Sequence, residues 1–145
     1  MPRAADHDVI VMAAAVADFR PAVVSERKLK KDELVETCDG PPAIVLEPTH
    51  DFLVDLGRDK PTGQLVVGFA AETDDLVVNA RKKLERKNLD LIVANDVGAP
   101  GVGFEYDTNA VVLVRADGVD QDVPLTDKRS VARAVLDAVV ALRTA

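Results

Sequence analysis

The 145-residue sequence has no tryptophan, one cysteine and only 3% aromatic residues. A lone cysteine, Cys38, cannot form an intramolecular disulfide, so the fold does not depend on a disulfide framework. No apolar run approaches the ~20 residues that a membrane-spanning helix needs, and no segment resembles a signal peptide. The two histidines, His7 and His50, are far apart, and no Cys/His cluster has metal-ligand spacing. We therefore expect a cytoplasmic protein that does not bind membranes.

Positive charge is also scarce. Asp and Glu number 25 against 18 Lys and Arg, which gives a net charge of −7 at pH 7. This excess argues against nucleic acid as a partner, although a few local lysines could still hold a small anion. With 48% hydrophobic residues and few aromatics, the core must consist of Val, Leu, Ile and Ala. That composition favours a parallel sheet covered by helices, within a single domain over residues 1–145.

Apolar runs without alternation predict strands that are buried on both faces at residues 9–13, 65–69 and 91–94. The first two runs continue into small residues. In open α/β sheets, ligands bind in the crevice at the carboxyl ends of the strands. Small residues there let a flat ligand approach the backbone, and Asp18 can accept a hydrogen bond from an N–H group or a ribose hydroxyl. The alternative is a strand followed by a solvated loop.

Phe69 lies where the second run ends. Its ring could stack on a base or fill the core, and the residue pattern alone favours the core. A helix is expected over residues 74–87, where Lys83 and Lys87 border the apolar stripe on the helical wheel. Their stems could lie along apolar surface, or their ammonium groups could be directed at a ligand or a partner subunit. In a simple crossover the helix runs away from the crevice, which leaves Lys83 roughly 15 Å beyond Thr73.

Turn and cap signals complete the outline. Asp117-Gly118 between two apolar runs predicts a β-hairpin. Thr126 is expected to cap a last helix with an apolar stripe, as Thr49 and Thr73 are expected to cap two earlier ones.

Residues 26–36, ERKLKKDELVE, hold three lysines and one arginine within six residues, followed by mixed charge. This segment is either a solvated loop or a mobile flap that closes on phosphates, a role that suits lysine as a flexible point charge.

The motifs AAAVADFRP, KLKK, VGFAAET and ARKKLERKNLDLIVAND, followed by a hairpin and a helix, resemble phosphopantothenate–cysteine ligase over residues 8–142. In bacteria this enzyme is usually the carboxyl-terminal part of a bifunctional coenzyme A biosynthesis protein. The resemblance implies a Rossmann-like three-layer α/β fold with a mainly parallel sheet and a carboxyl-terminal antiparallel hairpin. It also implies CTP-dependent coupling of 4′-phosphopantothenate to cysteine through an acyl-cytidylate, with Mg²⁺ present, in a homodimer.

The resemblance also implies site residues, and it assigns no metal ligands. Lys28 is the expected catalytic residue. The expected nucleotide-binding residues are Met12, Ala13, Ala14, Asp18, Lys28, Phe69, Lys83 and Lys87.

Two departures accompany the resemblance. Residues 47–51 read EPTHD, where the family usually has an Asn-Pro-Asp type segment. The family's amino-terminal half, with its glycine-rich loop, has no counterpart, so the sequence is interpreted as the carboxyl-terminal part of the ligase. A nucleotide-binding or dimerisation module without catalysis is the alternative. A dehydrogenase fragment is disfavoured because G-x-G-x-x-G is missing.

Overall fold

A computed structural model describes residues 3–28, 43–99, 102 and 106–144. The chain forms two compact units, Met1–Ala14 with Phe52–Ala145, and Ala15–Asp51. Most of the KLKK motif lies outside the described residues. In chain order, after a 3₁₀ turn at Ala4–Asp6, the elements are β1 (Val9–Met12), β2 (Phe19–Pro21), β3 (Leu46–Pro48), α1 (Phe52–Arg58), β4 (Leu65–Glu72), α2 (Leu76–Arg86), β5 (Leu91–Asp96), β6 (Thr108–Arg115), β7 (Gln121–Asp127) and α3 (Lys128–Thr144).

The larger unit is built on a sheet with the strand order β1-β4-β5-β6-β7 among the described residues. β1 pairs with β4 in parallel and β4 pairs with β5 in parallel, whereas β6 is antiparallel to both of its neighbours. Consequently β1, β4, β5 and β7 all run in the same direction. The expectation of a mainly parallel sheet with an antiparallel hairpin at its carboxyl-terminal end is confirmed.

Helices cover both faces of this sheet. Leu56 of α1 and Ala80 and Leu84 of α2 are buried against one face, where they pack with Val66, Ala70, Ile92, Ala94 and Val114. The stripe of α3 is buried against the other face, and its residues are Val131, Val135, Ala138 and Val139. These apolar side chains recur every three or four residues, so one side of each helix meets the sheet. The three-layer α/β fold expected from the sequence is confirmed.

The predicted hairpin is present between β6 and β7. Gly118 has φ +81°, a conformation that residues with a Cβ rarely adopt, so glycine suits this turn. The Asp117 carboxylate accepts hydrogen bonds from the backbone N–H of Val119 at 3.1 Å and from the Arg115 guanidinium at 2.5 Å. These donors hold the pKa of Asp117 below its usual value.

The start of α2 differs from the prediction. The N-cap is Asp75, with φ 45° and no side-chain cap hydrogen bond, and the helix begins at Leu76. Thr73 does not cap it, because Asp75 occupies the N-cap position. The Thr73 hydroxyl donates to the Asp74 carboxylate at 3.2 Å. The left-handed conformation of Asp75 delays the helix beyond the position that the threonine predicted.

The other two predicted caps are also wrong. Asp127, one residue after Thr126, caps α3: its carboxylate accepts the Ser130 N–H at 2.9 Å and the Ser130 hydroxyl at 2.6 Å. Thr126 is still part of β7. The Thr49 hydroxyl donates to the carbonyl of Ala17 instead of capping α1, which begins at Phe52.

The amino edge of the sheet, where β4 and β5 begin, holds α1 and α2 close together. A Cβ added to Gly57 of α1 would lie 1.8 Å from the carbonyl oxygen of Lys87, just after α2. Asn88 follows with φ 51°, and its side-chain amide donates to the Gly57 carbonyl at 2.7 Å. Asparagine tolerates this left-handed conformation better than most residues, which explains its position in the connector to β5.

The smaller unit contains an antiparallel pair, β2 with β3, in which Phe19 is opposite Pro48. The Arg20 guanidinium donates to the Glu47 carboxylate at 2.7 Å across this pair. The residues of β3 are exposed or partly buried.

Within the described ranges, no helix combines the length and the apolar character that crossing a membrane would require.

Candidate functional site

At the carboxyl edge of the sheet, β1 ends earlier than its neighbour β4, which leaves a step between the two strands. Met12 ends β1 in register with Gly68, whereas β4 continues to Glu72, which is in register with Asp96 at the end of β5. Met12 is partly buried, and the two alanines that follow it are exposed. Because their side chains are small, Ala13 and Ala14 leave the backbone after β1 open to a ligand at this step.

Phe69 is 44% exposed, so the interpretation that its ring fills the core is wrong. Val67, two residues earlier on the same face of β4, belongs to the core beneath α3. Val11 of the neighbouring strand, in register with Val67, is also 44% exposed. The α3 side of the sheet therefore ends in an apolar surface near Phe69, which an aromatic base could stack on.

Lys83 lies at this edge although α2 runs away from it. Its ammonium donates to the Glu72 carboxylate at 2.5 Å. The side chain of Lys83 is 40% exposed and that of Glu72 is 13% exposed. Side chains on a helix tilt toward its N-terminus, so the lysine reaches back toward the end of β4. The late start of α2 at Leu76 and this reach resolve the distance expected from a simple crossover.

Lys87 is placed differently. It is the C-cap of α2, and its carbonyl lies against Gly57 at the amino edge. The larger unit therefore brings Met12, Ala13, Ala14, Phe69 and Lys83 to the carboxyl edge, whereas the backbone of Lys87 lies at the amino edge.

Asp18 and Lys28 belong to the smaller unit, and both are exposed. The backbone carbonyl of Asp18 accepts the N–H of Thr49 at 2.8 Å, which holds this position beside the end of β3. Lys28 is the last residue described before the gap.

Sequence reasoning missed two polar residues at the carboxyl edge. Glu72 is inside the VGFAAET motif, and its signal was a carboxylate at the end of a buried strand that precedes a lysine-bearing helix. Asn95 is in register with Ala71, so it lies on the same face as Phe69, where its amide could meet the polar edge of a base. In the part of the chain that the structure describes, no group of three or more His, Cys, Asp or Glu residues could hold a metal ion.

Known proteins resemble this chain over nearly its whole length. It is 46% identical over 135 residues to the coenzyme A biosynthesis bifunctional protein CoaBC of Bacillus subtilis, and the aligned region covers 93% of this chain and 32% of the relative. The CoaBC protein of Mycobacterium tuberculosis is 44% identical over 142 residues, covering 92% of this chain and 32% of the relative. A cysteine/cysteine sulfinic acid decarboxylase of an unknown prokaryotic organism is 44% identical over 115 residues, covering 79% of this chain and 30% of the relative. The chain thus spans about a third of the length of these relatives.

Solved structures agree with these relatives. The crystal structure of the C-terminal domain of CoaBC matches with a TM-score of 0.71 and 38% identity, over 97% of this chain and 59% of that one. A Cab2 mutant in complex with phosphopantothenate-cysteine matches with a TM-score of 0.63 and 25% identity, over 94% of this chain and 44% of the Cab2 chain. The family described as the DNA/pantothenate metabolism flavoprotein C-terminal domain matches residues 1–142. These matches confirm the resemblance on which the sequence interpretation rests, and the chain belongs to this family.

Proposed function

We propose that this chain provides the phosphopantothenate–cysteine ligase activity of coenzyme A biosynthesis, with CTP as the activating nucleotide. Two findings support the proposal. The chain is 46% identical to part of a coenzyme A biosynthesis bifunctional protein. It also shares its fold with a Cab2 mutant that was solved with phosphopantothenate-cysteine.

The proposed reaction has two steps. A carboxylate oxygen of 4′-phosphopantothenate attacks the α-phosphorus of CTP, and pyrophosphate leaves as the acyl-cytidylate forms. The amine of cysteine then attacks the acyl carbon, and the amide forms as CMP leaves. Both the attacking carboxylate and the triphosphate are anionic, so the first step requires cations at the α-phosphate.

The observation that carries this proposal is the combination of groups at the carboxyl edge. An exposed aromatic ring, Phe69, offers a stacking surface for cytosine. The exposed backbone after Met12 lets the nucleotide approach closely, because Ala13 and Ala14 add little bulk. The ammonium of Lys83 supplies positive charge at the end of β4. Base, backbone and phosphate contacts are thus available along one edge of the sheet.

Mg²⁺ would enter this site with the triphosphate. Magnesium in nucleotide sites is held mainly by phosphate oxygens and water, with one or two protein carboxylates at most. When bound, the ion would neutralise charge on the triphosphate.

Three further residues complete the proposed nucleotide contacts. Asp18 would hydrogen-bond the nucleotide as a carboxylate, and Lys28 would stabilise the α-phosphate during attack. Lys87 would reach the triphosphate from a second copy in a homodimer, since its own unit holds it at the amino edge.

The proposal is tested with a chimera in which this chain replaces the matched segment of the Bacillus subtilis relative. We expect coupling of 4′-phosphopantothenate to cysteine with CTP, accompanied by pyrophosphate release. A chimera carrying the equivalent segment of another CoaBC protein serves as the positive control. Calorimetry of the chain itself with CTP, ATP and NAD should show selective binding of CTP. A folded chimera that binds CTP without coupling would favour a nucleotide-binding module, and selective binding of NAD would favour a dehydrogenase fragment.

A further inference from the structure

We propose that Glu72 is a positioning residue that holds the ammonium of Lys83 at the carboxyl edge, ready for an anionic group of the ligand. The inference rests on the proposed function only in identifying that group as the triphosphate of CTP. The juxtaposition itself is a property of the fold, because a carboxylate at the end of β4 contacts the ammonium of Lys83, the eighth residue of α2.

The two side chains differ in exposure, and this difference assigns their roles. The Glu72 side chain is 13% exposed and the Lys83 side chain is 40% exposed, so the carboxylate belongs to the largely buried partner and the ammonium to the more exposed one. An anion that approaches the edge therefore meets the positive partner first. The ammonium has three N–H donors, and the hydrogen bond to Glu72 uses one of them. The remaining donors are available to a phosphate oxygen.

The pair should persist when an anion binds. Moving Lys83 away would leave Glu72 as a largely buried carboxylate without its cation, and such a group is strongly destabilising. Glu72 would therefore keep Lys83 in place, and the ligand would bind an ammonium that is already positioned. A free lysine loses much of its rotamer freedom when it binds, whereas a positioned one has already lost it.

Other contacts fix Glu72 itself. Its backbone carbonyl accepts the N–H of Val97 at 3.2 Å, just after β5, and its residue is in register with Asp96. The carboxylate thus extends from the paired, regular part of the sheet instead of from a loop. A carboxylate held by the paired part of the sheet can define the position of a long side chain from the neighbouring helix.

Calorimetry of the full chain tests the proposal with two probes, Mg²⁺·CTP and inorganic triphosphate. The variants are Glu72→Gln, Lys83→Gln and the double variant. We expect Lys83→Gln to weaken binding of either probe about tenfold, as for a lost charge-assisted hydrogen bond. Glu72→Gln should weaken binding about three- to tenfold in the wild-type background and should have no further effect in the Lys83→Gln background. This coupling is a readout that a purely structural role of Glu72 would not produce.

Matched controls come from the same helix. Lys82→Gln and Glu85→Gln change charge at exposed positions of α2 and should leave both affinities unchanged. If Glu72→Gln does not fold, Glu72→Asp keeps the charge, shortens the side chain by one methylene and should give an intermediate loss of affinity.

Each outcome decides the question. Unchanged or tighter binding by Glu72→Gln, or the same loss with and without Lys83, would overturn the positioning role and leave the proposed function standing. The positioning role would be supported, and the proposed function contradicted, by two results together. The effects of Glu72→Gln and Lys83→Gln on the affinity for inorganic triphosphate would be non-additive, and the calorimetry with CTP and ATP would show equal affinities. A wild-type chain that binds neither probe would refute both.

Discussion

The ammonium of Lys60 lies 2.9 Å from both carboxylate oxygens of Asp90, and this pair joins the loop before β4 to the residue before β5 at the amino edge of the sheet. Asp90 also accepts the backbone N–H of Val66 at 2.7 Å. Both charged side chains are mostly buried, at 14% and 19% exposure. Asp90 therefore satisfies a buried backbone donor and a buried cation at once.

Asp90→Ala should lower the free energy of unfolding by about 2–4 kcal/mol, because it removes the counter-ion of the buried Lys60 ammonium, which keeps only its bond to the Asn88 carbonyl, and the acceptor of the buried Val66 N–H. Urea unfolding monitored by circular dichroism measures this change. The matched control is Asp137→Ala, at an exposed position of α3, which should not lower stability. Equal midpoints for the two variants would show that the pair contributes nothing.

The cap of α3 should make stability depend on pH. The Ser130 hydroxyl and N–H donate to Asp127 and hold the pKa of its carboxyl below the usual value. A depressed pKa stabilises the folded state above the unfolded pKa of about 3.9, and this contribution is lost as the pH falls through the folded pKa. We expect Asp127→Ala to be less stable than the wild type at pH 7 and this difference to shrink toward pH 3. Asp127→Asn keeps a capping oxygen without titrating, so it should remove the pH dependence while retaining much of the cap. A constant difference between wild type and Asp127→Ala from pH 7 to pH 3 would contradict this account.

Phe69→Ala should weaken CTP binding by about 1–3 kcal/mol, the range for removal of an aromatic side chain that stacks on a base. Its effect on the melting temperature should be small, because the ring is 44% exposed. Leu125→Ala removes another exposed apolar side chain, on β7, and should leave CTP affinity unchanged. A large loss of stability without a loss of affinity would mean that Phe69 serves packing after all.

Lys87→Gln should weaken CTP binding only at protein concentrations where two copies associate, because one copy holds Lys87 at the amino edge. Sedimentation velocity and calorimetry over the same concentration range measure association and affinity together. An equal loss of affinity in the monomer would contradict the proposed contribution from a second copy. No loss at any concentration would show that Lys87 is only a helix-end lysine.

Lys28→Gln should slow acyl-cytidylate formation about 100-fold in the chimera with the Bacillus subtilis relative, the scale for one electrostatic stabiliser. CTP affinity should fall much less, since the charge acts mainly on the transition state. Quenched-flow measurement of pyrophosphate release separates the two effects. Lys82→Gln is the charge-matched control, and a rate within twofold of wild type for Lys28→Gln would end the catalytic assignment.

Patterns that depend on burial were predictable from the sequence. The runs at β4 and β5 are apolar because helices cover both faces, and the stripe of α3 repeats at helical spacing for the same reason. The prediction that β1 is buried on both faces is wrong, because β1 is an edge strand whose residues are partly buried and whose Val11 is 44% exposed. Asp117-Gly118 specified a turn through local chemistry, namely the positive φ of Gly118 and the hydrogen bond from the Val119 N–H to the Asp117 carboxylate. Helix starts were less predictable, because the left-handed conformation of Asp75 decides where α2 begins and nothing in the threonine preceding it reveals that.

The site was only partly predictable, for a related reason. Phe69 has the same sequence neighbours whether or not α3 extends over it, so its exposure depends on tertiary structure. The contact between Glu72 and Lys83 spans eleven residues and two elements. It depends on the start of α2 and on the tilt of helical side chains, which no local pattern contains.

Gly57 limits how this part of the protein can change over evolution or in engineering. Alanine is the conservative replacement for a helical glycine and would raise helix propensity by about 1 kcal/mol. Here its methyl carbon would overlap the backbone of Lys87, which cannot move aside as a side chain could. The connector would have to shift, and β5 begins only a few residues later at Leu91. A substitution that stabilises most helices would thus propagate as a displacement into the centre of the sheet, and consensus-style stabilisation of α1 must leave this position untouched.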